Sequence, residues 1–285
     1  MIIVKNHDQL KEVLAHRKVN GKTIGFVPTM GALHLGHIAL LERAKIENSF
    51  VVCSIFINPT QFNSQADFIN YPVTIEKDIS LLESHHSDLL FLPSVAEVYP
   101  EGFEHLEHYN IGTIESVLEG KFRPGHFQGV CLVMSRLLKL IRPDKLYMGK
   151  KDYQQCLVVR RLIDILELSL ELITVETVRE PDGLAMSSRN LRLNERERKN
   201  ATAIFDCLMH LRNTLHPGNL RSNLDEARTI LEANEFKIDY IAIAGSGDLS
   251  EVTHWDGEQK LVALVAAFQH EIRLIDNILL FNEHI

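Results

Sequence analysis

Pro28-Thr29-Met30-Gly31-Ala32-Leu33-His34-Leu35-Gly36-His37 stands between two segments of different periodicity. Before it, Thr23 to Val27 is a short apolar run that reads as a buried strand. After it, Ile38 to Glu47 reads as the start of an amphipathic helix. A strand that breaks here and opens into a helix leaves backbone N–H groups without partners and aimed at one spot, which makes an anion site. His34 and His37, three residues apart, share one side of the first turn. Gly31 and Gly36 lack a Cβ, so a phosphate or a base can approach the backbone closely. Two solvent-exposed histidines on a loop are the plain alternative; the strand–turn–helix context favours an ATP site.

Outward from this stretch the first half alternates strand and helix. Helices are expected over Asn6–His16, Gly36–Asn48, Thr74–His85, Phe127–Ile141 and Asp152–Leu166. Strands are expected over Ile24–Val27, Phe50–Asn58, Asp88–Leu92, Lys145–Met148 and Leu170–Val175. Such alternation implies an α/β fold, a Rossmann-like parallel sheet with helices on both faces. Ligands of such sheets bind beyond the carboxyl ends of the strands. His34, Asn58 and Gly149 each follow a strand and are expected on one rim.

After Val178 the pattern changes. Pro181-Asp182-Gly183 is a turn signal. Asn194 opens one long charged helix to about Thr214, Pro217-Gly218 breaks it, and Leu220–Ala233 is a second helix. Ile238–Ala244, Leu261–Phe268 and Arg273–Leu280 follow as strands. The division expected is a Rossmann-like domain binding ATP and substrate over residues 1–177, and a smaller C-terminal α+β domain over residues 178–285 closing on it.

Composition narrows the function classes. Of 285 residues, 45 % are apolar and 24 % charged, as in ordinary globular proteins. The net charge of −8 argues against a general nucleic-acid binder. From Glu176 onward there are 12 basic against 18 acidic residues, so the second half does not read as an RNA-binding appendage. No apolar run is long enough to span a membrane, and the N-terminus lacks signal-peptide features. Cys53, Cys131, Cys156 and Cys207 lie far apart in apolar patterns, as reduced core thiols of a cytoplasmic protein would.

Four further strings can carry chemistry. Asn58-Pro59-Thr60-Gln61-Phe62 ends a strand with an amide pair able to orient a polar substrate, or is a plain turn. In Gly149-Lys150-Lys151-Asp152-Tyr153-Gln154-Gln155 the lysines suit phosphate oxygens, while Asp152 and Gln155 also have capping-box spacing. Met186-Ser187-Ser188-Arg189-Asn190 offers two hydroxyls and a guanidinium to a triphosphate, or caps a helix. Arg123-Pro124-Gly125-His126-Phe127 precedes an apolar helix and permits close approach of a ligand, or only begins that helix. Asp67, Glu76 and Asp78 lie in a polar stretch that forms a lid or is simply solvated.

Taken in order, with Phe56-Ile57 and Tyr71-Pro72 added and the last string extended back through Asp182-Gly183-Leu184-Ala185, these strings resemble the pantothenate synthetase family across nearly the whole chain. The first and last resemble the two signatures of the wider nucleotidylyltransferase superfamily. The resemblance implies ATP-dependent condensation of pantoate with β-alanine through a pantoyl adenylate, giving pantothenate, AMP and diphosphate. It implies that Met30, Gly31, Ala32, Leu33, His34, Leu35, Gly36 and His37 line the ATP pocket, with His34 and His37 on the phosphates and His37 the proton donor. It implies ATP contacts from Gly149, Lys150, Lys151 (phosphate), Asp152 (ribose), Val178 (adenine), Met186, Ser187, Ser188 and Arg189. His34, His37 and Lys151 would be the catalytic groups. Gln61 would hold pantoate and β-alanine, and Gln155 pantoate. Mg²⁺ would be held mainly by ATP phosphates, with no dedicated protein metal site, and the chain would be a homodimer. Val73 stands where family members often carry arginine, so no charge role is expected there. Two other readings stay open: transfer of a nucleotidyl group to a phosphate acceptor, and a non-catalytic nucleotide-binding module.

Overall fold

The computed structural model describes residues 1–19, 21–104 and 106–280. The first region holds strands β1 (Ile2–Val4), β2 (Ile24–Thr29), β3 (Phe50–Ile55), β4 (Leu89–Phe91), β5 (Lys145–Gly149) and β6 (Glu171–Val175). Between them run helices α1 (His7–Val19), α2 (Leu35–Glu47), α3 (Gln65–Ile69), α4 (Ile75–Ser84), α5 (Val95–Val98), α6 (Leu118–Phe122), α7 (His126–Ile141) and α8 (Tyr153–Ile165). The six strands form one parallel sheet in the order β1-β4-β3-β2-β5-β6. The chain builds outward from β2 on one side and from β5 on the other. The strand order therefore reverses between β2 and β5, where a crevice opens at the carboxyl ends.

Side chains alternate across this sheet as the pleat demands. Ile24, Phe26, Phe50, Val52, Leu89 and Phe91 pack on one face with α1, α7 and α8. Val27, Val51, Cys53 and Leu90 pack on the other with α2 and α4. Burial on both faces is why the strands read as continuous apolar runs. The edge strand β1 was not expected, because its three residues are too few to show a period.

The second region comprises α9 (Glu195–Ala201), α10 (Ala203–Asn213), β7 (Gly218–Asn219), α11 (Arg221–Ala233), β8 (Phe236–Gly245), β9 (His254–Trp255), β10 (Leu261–Gln269) and β11 (Ile272–Leu279). β11, β10 and β8 form an antiparallel sheet, with α10 and α11 on one face. Its other face packs Val262 and Leu264 against Leu118, Tyr153 and Leu157 of the first region. The single helix expected from Asn194 is two. An Asn194–Glu197 capping box starts α9, and at Thr202 the hydroxyl donates to the Lys199 carbonyl before the chain resumes as α10. Among the described residues no helix is long and apolar enough to cross a membrane.

Candidate active site

The crevice is built from three loops and one turn. The first loop leaves β2 at Thr29, whose hydroxyl donates to the Ser54 carbonyl at 2.7 Å. Gly31 (φ 85°) and Ala32 (φ 48°) then turn the chain through left-handed conformations. The amides expected to be free for an anion already have one: Ala32 N–H and Leu33 N–H donate to the two oxygens of Asp78 at 2.9 and 2.8 Å. Thr74 Oγ1 donates to the same carboxylate at 3.0 Å, and Asp78 is buried. Two of the backbone amides expected to face an anion are thus satisfied internally.

The side chains that reach the cavity at this point are those of His34 and His37. His34 is the N-cap of α2: Gly36 N–H donates to His34 Nδ1 at 3.1 Å, and His34 N–H donates to His37 Nδ1 at 3.2 Å. The pair forms a capping box made of imidazoles. Because each Nδ1 accepts, each neutral ring carries its proton on Nε2. Burial and the nearby Lys151 charge lower His34 to about 4. Burial, then His34 and Lys151, lower His37 to about 3. Both are neutral near pH 7 and offer Nε2–H as a donor. A Cβ on Gly36 would lie 2.8 Å from the His34 ring, so the cap requires glycine there.

Beside them sits the turn Pro59–Gln61. Buried Asn58 anchors it, donating to Gly129 O at 3.0 Å and accepting from Tyr99 OH at 2.7 Å. The backbone carbonyl of Gln61 accepts from His126 Nδ1 at 2.8 Å, while Arg123 Nη1 lies 3.1 Å from His126 Nε2. Arg123 can only donate, so His126 is the Nδ1–H tautomer. Burial first, then the Arg123 charge, lower it to about 3.

The second loop, Lys150–Asp152, is a single 3-10 turn after β5. Asp152 makes no side-chain cap to α8. The capping-box reading of Asp152 and Gln155 therefore fails, and Gln155 is left facing the cavity. The third loop follows the turn at Gly183 and passes Met186, whose N–H donates to Val178 O at 3.0 Å. Ser187 Oγ accepts from Arg189 N–H at 3.3 Å, and Ser188 Oγ donates to Ala32 O at 3.0 Å, tying this loop to the first. Arg189 and Arg192 both pair with Asp67, at 2.8 and 3.0 Å. Burial raises the Asp67 carboxyl, and the two guanidiniums more than offset this, holding it below its ordinary value.

All three loops open onto one cavity of about 220 Å³, which Met30, His34, His37, Gln61, Gly149, Lys151, Gln155, Val178 and Ser187 help to line. A second cavity, about 610 Å³, adjoins it beneath α3 and the C-terminal sheet. Lys151, Asp152, Ser187 and Arg189 border both. His34, Asn58 and Gly149 share the rim expected of them.

A model of the pantoate-beta-alanine ligase family matches residues 2–279. The chain belongs to that family. It is 41 % identical to a pantothenate synthetase of Azobacteroides pseudotrichonymphae, over 98 % of this chain and 99 % of the relative. The pantothenate synthetase of Thermus thermophilus superposes with a TM-score of 0.91 at 42 % identity, covering 99 % of this chain and all of that one. A pantoate-beta-alanine ligase of Francisella tularensis, solved with beta-gamma ATP and beta-alanine, superposes at 0.83 with 36 % identity over 98 % of both chains.

In this ligase the expected site residues divide by position. Met30, His34, Gly36, His37, Gln61, Gly149, Lys151, Asp152, Gln155, Val178, Met186, Ser187, Ser188 and Arg189 line the 220 Å³ cavity. Gly31, Ala32 and Leu33 are buried behind its wall, Leu35 points outward, and Lys150 pairs with Glu176. These five do not line it. Three residues prop the site: Asp78, expected in a lid or solvated stretch, lies buried under the first loop; His126, expected at a ligand approach or helix entry, holds Gln61; and Asn277, not singled out in the sequence, donates to Lys150 O and Lys151 O. Each lies far along the chain from what it supports, so no local spacing marks it.

Proposed function

We propose that this cavity carries out ATP-dependent condensation of pantoate with β-alanine in two steps. The observation that supports it is the meeting of the imidazole pair, Lys151 and the Ser187–Arg189 loop on one cavity at the strand-order reversal. In the first step a pantoate carboxylate oxygen attacks the α-phosphorus of ATP. A P–O bond forms, the bond to the β-phosphate breaks, and diphosphate leaves. The chain's part is to position reactants and neutralise departing charge. His34 and His37 donate from Nε2, Lys151 supplies a point charge, and Ser187, Ser188 and Arg189 close on the triphosphate. Asp152 reaches the ribose and Val178 meets adenine through its backbone. Gln61 and Gln155 hold pantoate. In the second step the β-alanine amine, near Gln61, attacks the acyl carbon. The C–O bond to AMP breaks, and the amine loses a proton.

Mg²⁺ enters this reading on the nucleotide phosphates. Phosphate oxygens suit a hard cation that keeps several of its own waters. The reading also takes residues 1–177 as the domain holding ATP and pantoate and residues 178–285 as the one that closes, on the support of their separate apolar cores. A homodimer in a reducing, cytoplasmic setting completes it; four buried unpaired thiols suit that setting.

The test is exchange of labelled diphosphate into ATP. Exchange that requires pantoate is expected, with AMP formed once β-alanine is added. Exchange supported only by a phosphorylated acceptor would mark a nucleotidylyltransferase, and nucleotide binding without AMP would mark a binding module.

A further inference from the structure

β11 carries Asp276 and Asn277 at 3 % and 7 % exposure, beneath the junction of the second and third loops. The Asn277 side-chain amide has two N–H groups, and it commits them to consecutive carbonyls, Lys150 O at 2.9 Å and Lys151 O at 2.8 Å. That is the whole donor capacity of the group, given to one three-residue turn. Its neighbour Asp276 grips Arg179 with both oxygens, at 2.5 and 3.0 Å. Arg179 donates in turn to Gly183 O at 3.0 Å and stacks over Phe205 at 4.6 Å, fixing the hairpin that leads into Met186–Arg189. Adjacent residues of a strand are about 3.8 Å apart at Cα. One dipeptide therefore sets the spacing between the lysine turn and the serine–arginine loop.

We propose that Asn277 is a positioning residue for the adenylation step, acting through Lys151 by pinning the carbonyls of the turn that presents it. The proposal rests on the reading above, in which Lys151 meets phosphate. Asp152 gives the following helix no side-chain cap, and Asn277 of the C-terminal sheet is what binds the carbonyls of Lys150 and Lys151. A displacement of about 1 Å in a charge-neutralising group costs on the order of 10²-fold in rate.

The experiment is a cycle of Asn277→Ala, Lys151→Ala and the double variant, read by pantoate-dependent diphosphate exchange, with Asn277→Ser, which keeps one donor, as a milder probe. Asn277→Ala is expected to lower the maximal exchange rate roughly 10- to 100-fold while the affinity for pantoate holds. Asn277→Ser should fall between it and the parent. The double variant should be slower than Lys151→Ala by much less than the full Asn277→Ala loss, because the charge the prop mainly positions is gone and only Asp152 of that turn is left to place. A slow Lys151→Ala beside an unaffected Asn277→Ala overturns the clamp alone. Losses that multiply in the double variant overturn it too, since Asn277 would then act elsewhere. Absence of a native melting transition in both Asn277 variants overturns it as well, because the bonds would then hold up the fold. A Lys151→Ala enzyme at the parent rate removes the site reading first, and this proposal with it.

Discussion

On the proposed reading the imidazole pair does two jobs, one with each ring nitrogen. As caps, the Nδ1 nitrogens satisfy two of the donors that every helix leaves open at its start. As ligands, the Nε2–H groups are fixed as donors by that capping, with no positive charge to desolvate. Replacing His37 with Ala removes both. The adenylation rate is expected to fall about 10²-fold or more, and Lys151→Ala should match it without touching the cap; single-turnover rates with ATP and pantoate check both. Acid should reveal the cost of keeping imidazoles neutral. His34, His37 and His126 titrate near 6.5 in an unfolded chain but at about 4, 3 and 3 when folded. Between those limits the unfolded state binds more protons, so stability falls as pH drops from 6.5 toward 4. The melting temperature is expected to decline over that window. His126→Gln, which keeps one donor and one acceptor, should decline less steeply. Only below about 4.5 should the losses from Glu47 and Glu119, both held near 2, add to it.

At the scale of elements, close approach does what long side chains cannot. α7 passes the Pro59–Gln61 turn so tightly that a Cβ on Gly129 would lie 2.2 Å from Thr60 O. Gly129→Ala is expected to destabilise by about 1–3 kcal/mol, seen in denaturant midpoints, and to weaken pantoate binding by displacing Gln61. The elements themselves were largely legible: strands buried on both faces, helices with one apolar stripe, and a reversal of order bracketed by Thr29 and Gly149. What local patterns missed was pairing across the chain. Asp78 looks like any solvated acid on α4 until Ala32 and Leu33 are placed against it. The Asp152 spacing promised a cap that the turn geometry does not make. The cavity-lining candidates sit in recognisable strings, as His126 does, but the propping roles of Asp78, His126 and Asn277 show only once the chain is folded.

The molecule as a whole brings two regions together around the site. Arg273 reaches from β11 to Glu119 with bonds of 2.8 and 2.7 Å, and Tyr240 OH joins at 2.9 Å. In this arrangement Asp67 offers Arg189 and Arg192 the anion that a phosphate would otherwise supply, bridging them across 122 and 125 positions of chain. On the proposed reading, ATP displaces that carboxylate. Asp67→Asn is therefore expected to tighten ATP binding severalfold and to steepen its loss with added salt, since the two guanidiniums then face the nucleotide without a competing carboxylate, as titration calorimetry at two ionic strengths would show. The four cysteines have a practical consequence of their own. Burial lifts Cys53, Cys131, Cys156 and Cys207 to about 12, which leaves their sulfurs inert toward alkylating dyes at neutral pH. A chain silent in this way accepts a fluorophore wherever one exposed thiol is introduced. Val73, exposed and near Asp67 in the chain, offers a place from which a change at that segment on adding ATP can be watched in real time.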